Sequence, residues 1–207
     1  IYKAHRTTIS KTELPVLNIY MTDGALEKLR QKREVTLREM RPILVTTEND
    51  WVRATIIADD GRNQNQTEVM LRLKGDLQDH WSDPNKLSFR IIVKKDELVL
   101  GMSKFSIQRP STRNYHNEAL IHGMMRRVGV LAPRYFFVDV QLNDQKVGVM
   151  ALEEHFTKEM VENQNRREGS IVAIDEEWVW QQRFLNYNRR SATDWETAIE
   201  AIKWNGG

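Results

Sequence analysis

The chain has 207 residues, with Lys+Arg 31 against Asp+Glu 29 and a net charge of +2. A phosphate-rich polymer selects a larger basic excess, so this balance argues against nucleic acid as a partner. The absence of cysteine excludes disulfides, thiolate metal centres and a cysteine nucleophile. With 40% apolar residues a normal core is available, and no apolar run reaches the roughly 20 residues of a membrane-spanning helix. No basic-then-apolar leader opens the chain, whose first residue is Ile1; a processed or trimmed N-terminus is expected.

Leu14 to Tyr20 reads as a strand. Asp23 is placed to cap a short helix through Leu26 and Leu29 to about Arg33. Trp51 to Ala58 and Thr67 to Lys74 alternate as two strands, with Asp59-Asp60-Gly61 and the polar run to Gln66 as the hairpin tip between them. That tip has one glycine, too few for a phosphate-cradling glycine loop. The polar stretch Lys74 to Lys86 is either a loop over a ligand or a plain connection. Leu87 to Val93 puts Leu87, Phe89 and Ile91 on one face, Ser88 and Arg90 on the other. Lys104 to Gln108 continues the sheet, and Pro110 ends it.

The strongest helical pattern runs from about Tyr115 to Val128. Leu120, Ile121, Met124, Met125 and Val128 recur at helical spacing, and Gly129 follows as a cap. A hairpin comes next, Arg134 to Leu142 and Lys146 to Leu152, turning at Asn143-Asp144. Thr157 to Arg167 is polar and helical, and Gly169 to Ile174 is a short strand. Trp178 to Asn188 and Asp194 to Lys203 are further helices, whose tryptophans read as packing residues before carbohydrate platforms. The sum is an α+β fold of a mostly antiparallel sheet with one main helix, divided near Glu153 to Thr157 into residues 1–155 and residues 156–207.

This element order resembles the small lobe of a protein kinase followed by the start of a helical lobe. The residues narrow the resemblance. Lys74-Gly75-Asp76 before Trp81, Lys86-Leu87-Ser88-Phe89-Arg90-Ile91, Gly101 with Lys104-Phe105-Ser106-Ile107, and Asn117-Glu118-Ala119-Leu120 resemble the CotH (spore-coat protein H) kinase family in order and spacing. So do Gly129 to Arg134 and the hairpin ending at Glu153-Glu154-His155. The resemblance covers roughly Leu14 to Ile174. It implies an atypical kinase fold, ATP with Mg or Mn as cofactors, and a protein substrate with Ser/Thr acceptors. It further implies a bacterial protein that is secreted, envelope-associated or in a spore coat.

Under that resemblance Lys86, or Lys74 in its place, holds the phosphates, Glu118 is the catalytic residue that positions the lysine, and Glu153, Glu154 and His155 form the hinge beside the adenine. The plain alternatives are a solvated lysine, a Glu118 paired with Arg113 or His122, and a charged strand end. The chain departs from the family in two places. Lys74-Gly75-Asp76-Leu77 stands where Arg-Gly-Asn-Ser is frequent. No His-Arg-Asp, Asp-Phe-Gly or Trp-Asp-x-Asp segment occurs, so the catalytic aspartates are expected beyond Gly207 and this piece alone is expected to be inactive. His116 and His122 lie on different helix faces, and no metal site is expected in this chain. Two further readings are a non-catalytic kinase-like assembly module of a coat or envelope complex, and a carbohydrate-surface-binding protein.

Overall fold

The computed structural model describes residues 14–39, 43–61, 63–75, 77–167 and 169–172. Strand β1 (Val16–Tyr20) leads into helix α1 (Asp23–Arg38), capped by the Thr22 side chain, which accepts from the Ala25 N–H. Five more strands and a second helix follow in the order β2 (Val52–Asp59), β3 (Gln64–Leu73), β4 (Phe89–Val93), β5 (Lys104–Gln108), α2 (Asn117–Arg127), β6 (Tyr135–Leu142). They are completed by β7 (Gln145–Glu154) and a short helix, α3 (Lys158–Asn163). No described helix is long and apolar enough to cross a membrane.

The strands form a closed barrel in the order β1-β2-β3-β4-β5-β7-β6. This corrects the expected kinase-like α+β small lobe with a helical lobe: an open sheet has two edges, and here β1 pairs antiparallel with β2 and parallel with β6, leaving neither. The seam is pinned chemically. Asn143 N–H donates to Ile19 O (2.9 Å), Asn143 Nδ2 donates to Met21 O (3.0 Å), and Tyr20 OH donates to Asp144 Oδ1 (2.7 Å). Asn143 and Asp144 both have positive φ, 47° and 64°, which asparagine and aspartate tolerate and which suits the tight β6–β7 hairpin.

Alternation dictates the core. Leu17 and Ile19, Ala54 and Ile56, Val69 and Leu71, Phe89 and Ile91, Phe105 and Ile107, Val138 and Val140, and Met150 and Leu152 are buried in one cluster. Most of the predicted strands agree with this within a residue or two. The first helix runs five residues past its expected end at Arg33, to Arg38. The hairpin tip is shorter than expected because β3 starts at Gln64. Residues 169–172 have no strand pairing, and the two later helices lie outside the described residues.

The main helix departs from its expected packing. On α2 the half-buried positions are Glu118, Ala119, His122 and Met125, spaced i, i+1, i+4 and i+7, while Leu120, Ile121, Met124 and Val128 are exposed. The side laid on β6 therefore carries His122, whose ring meets Tyr135 edge-on at 5.9 Å.

Candidate functional site

Register places a row of polar side chains across the outside of five strands. Arg72 on β3 pairs with Arg90 on β4, Arg90 with Ser106 on β5, Ser106 with Glu153 on β7, and Glu153 with Tyr135 on β6. Side chains repeat with period two, so these residues face away from the apolar interior, as do Lys74 and Gln108 two positions along their own segments. Ser106 and Gln108 are nevertheless fully buried. The loop of residues 78–86 folds back over this end of the sheet: Trp81 is fully buried, and the Trp81 and Ser82 carbonyls accept from Arg33 at 2.6 and 2.5 Å. Arg109 also donates to Asp79 O and, at 3.1 Å, to Ser82 Oγ.

At the centre of this face the Lys74 ammonium donates to Glu153 Oε2 at 2.6 Å and to Gln108 Oε1 at 2.9 Å. The Lys74 side chain is 11% exposed and that of Glu153 25%. Burial pushes the Lys74 amine below its ordinary pKa, with Arg113 and Arg90 pushing the same way against the pull of Glu153. Burial opposes ionisation of Glu153 too, yet the charge and hydrogen bond of Lys74, helped by Arg113, carry its pKa below the carboxylate norm. The two side chains therefore form an ion pair.

Two histidines flank the pair and stay neutral. Burial, with Lys74 and Arg113 nearby, brings His80 down to about 4, and burial with Arg90 and Lys74 brings His155 down to about 4. His80 Nδ1 lies 3.3 Å from Ser88 Oγ, and His155 Nε2 lies 2.7 Å from Ser106 Oγ. Gly75 makes the His80 position attainable. Its φ is +95°, and a Cβ there would stand 2.1 Å from His80 Cγ, so any side chain collides with the ring. The result is a buried ammonium and two further guanidinium groups around the Glu153 carboxylate, beside two uncharged imidazoles. Such a field attracts a multiply charged anion.

The other expected residues separate. Glu118 pairs with His122, Nε2 to Oε2 3.2 Å, on its own helix; the carboxylate that latches a sheet lysine is Glu153. Lys86 lines an open cavity of about 580 Å³ with Arg109, Tyr115, His116, Phe137 and Val149. The Glu154 carboxylate is fully buried and is held by Arg134, which donates through Nε at 2.8 Å and through Nη2. The N–H groups of Glu154 and His155 donate to Arg134 O (2.9 Å) and Lys104 O (3.1 Å), so these two donors are already engaged and do not offer a free adenine edge. Sequence reasoning missed Tyr135, weighed Arg113 only as a partner for Glu118, and saw Arg90, Ser106 and Gln108 only as strand residues. Their signal was the outward half of the alternation in β4 and β5, meaningful once the cross-strand register is known.

A family model described as CotH kinase protein matches residues 71–204. The match begins in β3, so it contains Lys74, Lys86, Gln108, α2 and Glu153, and it continues past the described residues. No curated protein matches the sequence. Nearly two thirds of the chain lies within the family model, and the chain belongs to the CotH kinase protein family.

Proposed function

We propose that the chain is the ATP-binding portion of a Ser/Thr protein kinase, with the Lys74–Glu153 pair receiving the phosphates. The observation that carries this reading is a buried ammonium held at 2.6 Å by the Glu153 carboxylate in surroundings where Arg90 and Arg113 add positive charge. The donor set fits a polyphosphate. Lysine offers a compact point charge, and Glu153 and Gln108 fix its direction before a ligand arrives, so little ordering remains to be done on binding. Glu153, rather than Glu118, positions the lysine. ATP, when bound, supplies the phosphoryl group. This chain's residues bind and orient its anionic end.

Among the described residues no group of three His, Asp or Glu stands together to hold a metal ion. Under this proposal Mg or Mn accompanies the nucleotide, and further groups hold the metal and orient the acceptor hydroxyl. A place in a spore coat or cell-envelope complex and a protein acceptor complete the proposal. The test is transfer of labelled phosphate from ATP to a Ser/Thr-rich polypeptide by the protein at its natural length, native and Lys74→Met. A drop of about 100-fold or more in rate is expected from loss of one charge-assisted phosphate contact in a dry site. Equal rates for the two proteins would contradict it.

A further inference from the structure

The outward side of α2 is apolar where a surface helix is normally polar. Leu120 is 63% exposed, Met124 68% and Val128 76%, with Ile121 beside them, and they form one stripe at i, i+1, i+4 and i+8. A contiguous stripe of this kind marks a contact surface rather than scattered surface apolar residues.

We infer that residues 173–204 of the same chain cover this stripe. The described chain leaves the fold beside the C-terminal end of α2. Arg166 Nη2 donates to Gly129 O, Arg126 Nη2 donates to Asn163 Oδ1 at 3.1 Å, and Gln164 Nε2 donates to Ala132 O at 2.9 Å. Val172, the last described residue, is 91% exposed, and Ile171 joins Leu131 and Val161 around a cavity of about 380 Å³ at this spot. From Leu120 to Val128 the stripe is about 12 Å long, a span that a handful of extended residues crosses.

The sequence that follows is complementary in both charge and polarity. Asp175-Glu176-Glu177 is opposite in charge to the surface carrying Arg126, Arg127, Arg166 and Arg167, and Trp178, Trp180, Phe184 and Leu185 come next in the sequence. Arg126 and Arg127 offset the negative end of the α2 dipole, which would otherwise repel that acidic run. The family match spans residues 71–204 and so takes in both α2 and this segment. The inference stands independently of nucleotide binding.

The full chain with the photo-crosslinker p-benzoylphenylalanine in place of Met124 tests it, irradiated as an equal mixture of ordinary and nitrogen-15-labelled protein. Cross-links to peptides within residues 173–204 of the same isotope are expected. Mixed-isotope links, which would mean a second copy, links elsewhere, or no links overturn the inference. In a second arm, Leu120→Glu with Met124→Glu is expected to speed hydrogen exchange at least about tenfold in peptides from residues 173–204, while β2 and β3 peptides stay protected. Unchanged exchange in those peptides overturns it as well.

Discussion

A double-mutant cycle on Lys74 and Glu153 gives the sharpest energetic prediction. Lys74→Met keeps the aliphatic stem and removes the charge, leaving Glu153 and Gln108 without the ammonium 2.6 and 2.9 Å away. Breaking a fully buried pair costs about 3–5 kcal/mol. Glu153 is 25% exposed and retains Arg113 as a neighbouring cation, which reduces the expected cost to about 2 kcal/mol. Glu153→Gln is worse, at about 3 kcal/mol, because an ammonium only 11% exposed is left facing Arg90 and Arg113. Its sign with pH is also fixed. The folded-state pKa of Lys74 lies below 10.5 and falls further without Glu153, so the unfolded chain binds more protons and the penalty shrinks as pH rises toward that value. The double variant removes both charges and recovers part of the loss, giving a coupling of about 2 kcal/mol. Urea unfolding of the four proteins at pH 7 measures it. Costs that add within about 0.5 kcal/mol would refute the latch.

Acid should destabilise the fold before the carboxylates titrate. His80 and His155 have folded pKa values of about 4 against an ordinary 6.5, so the unfolded chain takes up their protons first. Stability is complete above about pH 6.5 and falls as pH drops toward 4, by up to about 3 kcal/mol per histidine; urea midpoints between pH 7 and 4.5 check the slope. Gly75→Ala should cost more than about 2 kcal/mol, since it combines a positive φ with a collision on the His80 ring; a thermal scan measures it, and a loss under 0.5 kcal/mol would show that the ring is free to move. Arg134→Met should cost about 3–5 kcal/mol because it strands a fully buried Glu154 carboxylate, and adding Glu154→Leu should restore most of that.

How far the sequence reached follows from which interactions are local. Strands such as Lys104 to Gln108 were legible because Phe105 and Ile107 alternate with polar neighbours. Closure was not, because it depends on β1 lying parallel to β6, a pairing between segments more than a hundred residues apart that leaves no periodic trace. The helix over residues 117–127 was legible from spacing, but its orientation was not. Apolar spacing says that a face will be covered without saying by what, and here Leu120 and Met124 turn away from the barrel. Lys74 was a candidate from the start, whereas its partner was sought on the helix at Glu118 and stands across the sheet at Glu153. Diagonal contacts of that kind require the strand register, which Ser106↔Glu153 and Glu153↔Tyr135 supply.

The most direct measurement is a calorimetric titration of this chain with ATP and with inorganic triphosphate, native and Lys74→Met, at pH 7. Saturable binding of both ligands with Kd between about 10 μM and 1 mM is predicted, weakened at least about tenfold by the substitution. No heat from either ligand, or the same affinity with and without the ammonium, would contradict a phosphate-receiving role for this pair.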